Sequence, residues 1–208
     1  MRTSYSVATC GNDGYLSTWS LNNNLTLVRR VFAHQGSAMC VHFSSSGSTL
    51  ASSGGDKVVK IWKMEDLSCL AILEGHQRYV MVCAFSPCAR ILVSGCGDGS
   101  FKLWSLDKDQ EVLSLERRTT SSRSESYTQE RLVRNKQHNQ VIQTLAGHSS
   151  DVNSCHFHED ILATGSADAT VRLWKEDRVT GMLKETTVSP LTGHSYSVYC
   201  VRFTPTGR

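Results

Sequence analysis

Leu92-Val93-Ser94-Gly95-Cys96-Gly97-Asp98, followed six residues on by Trp104, decides the fold of this chain, because the same phrase is written four times. Val7-Ala8-Thr9-Cys10-Gly11-Asn12-Asp13 runs to Trp19, Leu50-Ala51-Ser52-Ser53-Gly54-Gly55-Asp56 to Trp62, and Leu162-Ala163-Thr164-Gly165-Ser166-Ala167-Asp168 to Trp174. The Asp-to-Trp distance is six residues in every copy. Ahead of three copies sits a His in a short turn: Ala33-His34, Gly75-His76 and Gly147-His148. A further turn, Gly193-His194, opens a copy that is not finished. The period from Trp19 to Trp62 to Trp104 is 43 and then 42 residues. Self-similarity at that period means an array of supersecondary units.

One unit, residues 68 to 106, reads as a sheet. Cys69-Leu70-Ala71-Ile72-Leu73 is a short apolar run ahead of Gly75-His76, read as the outer strand of the preceding sheet. Val80-Met81-Val82-Cys83-Ala84-Phe85 is almost wholly apolar, as an innermost strand enclosed on both faces must be. Ser86-Pro87-Cys88-Ala89-Arg90 is a turn, and Ile91 to Gly95 a second strand. Asp98-Gly99 signals a tight hairpin into Phe101-Lys102-Leu103-Trp104. Each unit supplies a four-stranded antiparallel sheet, and such sheets packed radially make a β-propeller.

These residues resemble the WD40-repeat family, whose signature is Gly-His, a strand, Asp, and a tryptophan strand. The resemblance covers the chain outside residues 107 to 140. It departs at one point: Ser20, Lys63, Ser105 and Lys175 follow the tryptophans, where the family name expects Asp. The fold class implied is all-β, a propeller of four-stranded antiparallel blades. About four blades' worth are present, and the family's usual seven imply a fragment of a larger propeller. Residues 1–106 hold a partial repeat and two complete ones. Residues 107–140 are a linker or insertion, and residues 141–208 hold one complete and one truncated repeat.

Four residues before each Asp the side chain is always hydroxylic: Thr9, Ser52, Ser94, Thr164. A buried hydroxyl, His, Asp and indole N–H satisfy one another in a chain, whereas burying any one alone costs about 1–3 kcal/mol. The resemblance implies scaffold tetrads of His34, Ser52, Asp56, Trp62; His76, Ser94, Asp98, Trp104; and His148, Thr164, Asp168, Trp174. Thr9, Asp13 and Trp19 form a partial set, and His194 begins another. Ser, His and Asp together also spell a hydrolase triad. A catalytic site occurs once, however, and this constellation repeats with every blade.

Eight cysteines in 208 residues raise disulfides or zinc, but there is no C-x-x-C pair. Cys83 and Cys155 take the slot held by Val41 and Val201 in other copies, which reads as reduced strand packing. In Cys155-His156-x-His158 neighbouring residues alternate faces along one strand and do not converge on one ion. No metal or cofactor is expected. A net charge of +3, with Lys and Arg spread along the chain, does not indicate nucleic acid. No run approaches about 18 apolar residues, and the N-terminus lacks an apolar signal core, which places the chain in the cytosol or nucleus.

Glu116 to Ser126 is polar and of mixed charge and reads as a flexible linker, with Thr128 to Gln137 as a short helix. Arg117-Arg118 ahead of Thr120 and Ser121 resembles a basophilic kinase site. Were Val198-Tyr199-Cys200-Val201-Arg202-Phe203 to pair beside Val7-Ala8-Thr9, four blades would close into a ring with a shared seam.

No phosphate-cradling loop or once-only nucleophile is present. The family resemblance implies a non-catalytic platform that binds proteins or peptides, with no small-molecule substrate, nucleic acid or membrane. In similar propellers the residues flanking the start of each inner strand, and the residue before each Asp, face the mouth of the central channel. Here these are Ser37 and Met39, Tyr79 and Met81, Asp151 and Asn153, Ser197 and Tyr199, with Asn12, Gly55, Gly97 and Ala167. Val141 to Cys155 and Ile161 to Thr164 look like the first blade of the WD-repeat, SAM and U-box proteins. Gly75-His76-Gln77-Arg78-Tyr79-Val80 looks like a late blade of the same family. That implies, as an alternative, the substrate-recognition part of a U-box ubiquitin ligase whose catalytic module is not in this sequence.

Overall fold

The computed structural model describes residues 6–21, 26–106, 141–177, 179–180 and 182–204. Thr120, Ser121 and the segment read as a short helix fall outside these residues. Fifteen strands are described: β1 (Ser6–Cys10), β2 (Tyr15–Ser20), β3 (Thr26–Phe32), β4 (Ala38–Phe43), β5 (Thr49–Gly54), β6 (Val59–Lys63), β7 (Cys69–Leu73), β8 (Val80–Phe85), β9 (Ile91–Cys96), β10 (Ser100–Ser105), β11 (Val141–Ala146), β12 (Val152–His158), β13 (Ile161–Ser166), β14 (Val171–Glu176) and β15 (Leu183–Glu185). They form four antiparallel sheets: β1-β2-β3, β4-β5-β6-β7, β8-β9-β10-β11 and β12-β13-β14-β15. Among the described residues there is no helix.

The hairpin inside each sheet follows from its Asp. In Asp13-Gly14 and Asp98-Gly99 the glycine takes a left-handed φ of 77° and 82°. Gly99 also lies so close to the next sheet that a Cβ would come 2.5 Å from the His148 carbonyl oxygen. In the other two sheets Lys57 and Ala169 adopt the same region, at 69° and 67°, a strained choice for residues with a Cβ.

Between sheets the core repeats as the sequence does. Each buried tryptophan turns toward the preceding sheet: Trp62 packs with Leu16, Trp104 with Ala51, Val59 and Leu73, and Trp174 with Val93, Phe101 and Leu103. Phe101 meets Trp174 edge-on at 4.7 Å. Each such large apolar side chain contributes about 1.5–3 kcal/mol by leaving water. β9 is buried along its whole length, as its unbroken apolar start requires. β11 pairs with β10 across residues 107–140, so the long interruption leaves the four-stranded sheet intact.

Val198 to Phe203, read from the sequence as the first strand of a further blade, forms no strand. It also does not pair with β1, whose sheet is three-stranded. It runs instead along β12, held mainly by side chains: Val201 N–H donates to Ser154 Oγ at 2.9 Å, Phe203 N–H to His156 Nδ1 at 3.1 Å, and Asn153 Nδ2 to the Val198 carbonyl at 3.1 Å. The four-blade seam is therefore not made. A ladder needs a hydrogen-bonding edge, and β12 presents this segment with its side-chain face.

Candidate functional site: the strand ends around the inner mouth

The polar chains implied by the tetrads hold the hairpins in place. In the second sheet Trp62 Nε1 donates to Ser52 Oγ at 2.8 Å, Ser52 Oγ lies 2.7 Å from His34 Nε2, and His34 Nδ1 lies 2.8 Å from Asp56. The polarity that satisfies every atom runs indole to hydroxyl to imidazole to carboxylate, with the His34 proton on Nδ1. The fourth sheet repeats it: Trp174 to Thr164 at 3.0 Å, Thr164 to His148 at 2.9 Å, His148 to Asp168 at 2.9 Å. The free carboxylate oxygen then takes a backbone N–H, from Gln35 in one sheet and Ser149 in the other. His34 and Ser52 are fully buried. Burial pushes both histidines below their ordinary pKa, partly opposed by Asp56 and Asp168.

The third sheet departs from the pattern. Trp104 donates to Ser94 at 2.8 Å and Ser94 bonds His76 Nε2 at 2.6 Å, but His76 Nδ1 is buried without a partner. Asp98 instead accepts from Ser100 N–H at 2.9 Å. Beside Asp98 stands Cys96, where the second sheet has Gly54 and the fourth Ser166. Its thiol bonds the Arg78 carbonyl at 3.6 Å and also the Asp98 side chain. With no carboxylate against Nδ1, burial pushes His76 down to about 4. In the first sheet Trp19 donates to Thr9 at 2.9 Å, while Asp13 pairs with Arg30 at 2.7 Å. His194 is exposed.

Three hairpins so placed meet the starts of the inner strands through one repeated bond. Gly55 N–H donates to Ser37 O at 2.8 Å, Gly97 to Tyr79 at 3.0 Å, and Ala167 to Asp151 at 2.9 Å. The two classes of mouth residue read from the sequence are thereby joined in pairs. The inner strands carry a further feature that the sequence did not announce. In β4, β8 and β12 the ladder skips one residue: Met39, Met81 and Asn153 have no partner across the pair. Such bulges re-aim side chains and recur beside functional sites.

Tyr79 is placed differently from a free rim residue. Its phenol donates to Asp151 at 2.9 Å, and its ring covers Gly97, where a Cβ would collide with it. Gly97 is consequently buried under the ring. Met39, by contrast, is 38% exposed and Tyr199 78% exposed. Asn12 is exposed, and Ser37, Met81, Asp151, Asn153 and Ser197 are half-buried. Ser197 Oγ reaches the Ala167 carbonyl at 3.5 Å.

The family described as "WD domain, G-beta repeat" matches residues 25–63, 67–105, 139–175 and 185–208, more than half of the chain. The chain belongs to the WD40-repeat family. Its sheets are WD40 blades, and the buried Trp-to-Asp chains are their internal ties. Among curated relatives, WD repeat, SAM and U-box domain-containing protein 1 of Gallus gallus is 45% identical over 67 residues, 32% of this chain and 13% of that protein. The Homo sapiens protein of the same name gives the same identity and shares. Mitochondrial division protein 1 of Sclerotinia sclerotiorum is 30% identical over 156 residues, 71% of this chain and 23% of that protein. The chain thus spans between 13% and 23% of the length of these relatives. Among the described residues no helix is long and apolar enough to cross a membrane.

Proposed function

We propose that this WD40 chain is a non-catalytic interaction scaffold that captures partner peptides at the mouth formed by its inner-strand ends. WD40 propellers in general bind other proteins. The observation that carries the reading here is the repeated bulge. It frees Met39, Met81 and Asn153 from the ladder while the neighbouring hairpins are tied down, which combines adaptable contacts with a fixed frame. Adaptable thioether and amphipathic phenol groups at such an opening are effective contact makers. The partners are proteins or peptides rather than nucleic acid, membrane or a small molecule, and the compartment is the cytosol or nucleus.

A peptide display library selected on the wild-type chain tests this. Enriched peptides should lose binding to a Met39→Ala/Tyr199→Ala variant that keeps its melting temperature. Equal binding to both proteins removes the mouth as the site.

A second reading rests on the 45% identity to proteins whose name includes a U-box. On it, the chain is the substrate-recognition part of a ubiquitin ligase. Sequencing the full transcript for an adjoining U-box separates the two readings.

A further inference from the structure

Thiols stand on the inner strands of three consecutive blades: Cys40 on β4, Cys83 on β8 and Cys155 on β12. All eight cysteines of the chain are free. Cys40 shares its strand face with His42, which accepts Phe85 N–H at 3.3 Å, so this face looks at the third blade. Cys83 looks back, inside the cluster of Ala51, Val80 and Leu92 on which Cys40 also packs. The two side chains face one another. The Cys40 thiol lies 3.5 Å from the Cys83 carbonyl oxygen, and the two thiol groups are close enough to shift each other's pKa.

The two sulfurs are unequal. Cys83 is 1% exposed, and its bond to Cys40 and its burial push its pKa well up. Cys40 is half-buried, and the hydrogen bond from Cys83, helped by the Arg202 guanidinium, draws its pKa below the ordinary thiol value. A half-buried thiol of lowered pKa backed by a buried protonated thiol is the arrangement of an attacking and a resolving cysteine. Cys155 lacks this character, because burial drives its pKa far up.

We propose that Cys40 and Cys83 are an oxidation-sensitive pair that a hydroperoxide converts into a disulfide, stapling the inner strands of the second and third blades. The Cys40 thiolate attacks the distal oxygen of the hydroperoxide. The O–O bond breaks, the leaving alkoxide or hydroxide takes a proton, and Cys40 becomes a sulfenic acid. Cys83 sulfur then attacks the Cys40 sulfur, and the S–O bond breaks. The departing hydroxide leaves as water with the Cys83 proton. Two thiols lose two electrons in all, and the peroxide gains them.

The test treats the dilute full chain with hydrogen peroxide, quenches with N-ethylmaleimide, and digests with trypsin without reductant for mass spectrometry. A link between the Cys40 peptide and the peptide Tyr79–Arg90 is expected in the monomer band, with fragmentation placing it on Cys83 rather than Cys88. Cys88→Ser should keep the link and Cys40→Ser should abolish it. Since Cys40 is half-buried, that variant is expected to fold, and its melting temperature checks this. The pair is overturned if Cys40 ends as sulfinic acid while Cys83 stays alkylatable after unfolding, if the bond maps to Cys88, or if links join only separate chains.

Discussion

The Tyr79 phenol donates to the Asp151 carboxylate at 2.9 Å, joining residues 72 positions apart across the seam between the third and fourth blades. That bond raises the phenol's pKa, because ionising Tyr79 would set a second negative charge against Asp151. The ring itself rests on Gly97. Position and protonation of Tyr79 are therefore set from two blades at once.

Asp151→Asn should bring the Tyr79 titration back toward the ordinary phenol value, followed by NMR of labelled tyrosine. Gly97→Ala should do the same by lifting the ring, and should cost about 1–3 kcal/mol as an overpacked contact. An unmoved titration in both variants means that the phenol does not lean on Asp151 in solution.

Ser52→Ala strips a buried indole N–H and a buried imidazole nitrogen of their shared partner. Two unsatisfied groups should cost about 2–4 kcal/mol, read from urea denaturation. Thr9→Ala, in the exposed counterpart, should cost well under half as much. Equal losses would show that the second-blade chain is not specially buried.

Cys96→Ser copies the fourth blade into the third. It takes the competing thiol from Asp98 and lets the carboxylate reach His76 Nδ1. A stability gain of about 0.5–1.5 kcal/mol is expected, together with a rise in the His76 pKa from about 4. A destabilised variant with an unchanged His76 titration would mean that Cys96 is not what separates Asp98 from His76.

Acid should weaken the fold. The folded chain holds His76 down at about 4 against an ordinary 6.5. Between those pH values the unfolded chain binds a proton that the folded chain refuses, so stability falls as pH drops through that window. One such proton is worth about 1.4 kcal/mol per pH unit. His34 and His148 are lowered too and act in the same direction. For Asp168, burial raises the pKa but the bonds from Thr170 and Ser149 outweigh it. Its contribution is complete above the unfolded carboxylate pKa and erodes below it. Urea midpoints should stay nearly level from about pH 7.5 to 6.5 and fall from 6.5 toward about 4, and a flat profile through that window would contradict buried neutral histidines.

Much of this was written in the chain. The fixed Asp-to-Trp distance set the hairpins, and the hydroxyl four residues before Asp marked the buried acceptor that the indole uses. The strand limits of β7 and β8 follow the apolar runs residue for residue. Three features were not legible. The bulges at Met39, Met81 and Asn153 are a matter of ladder register, which leaves no mark in residue type. The detachment of Asp98 from His76, beside a Cys96 that bonds Asp98, is a matter of side-chain geometry that residue types alone do not spell. Val198 to Phe203 has the composition of an inner strand, yet a strand also needs a ladder partner, which no composition supplies.

The most direct measurement is hydrogen exchange of the wild-type chain with and without a selected peptide. Slowed exchange should concentrate at residues 37–40, 79–82, 151–154 and 197–199, leaving the outer strands β3, β7, β11 and β15 unchanged. Protection along those outer strands, or none at the inner-strand ends, would contradict a binding site at the mouth.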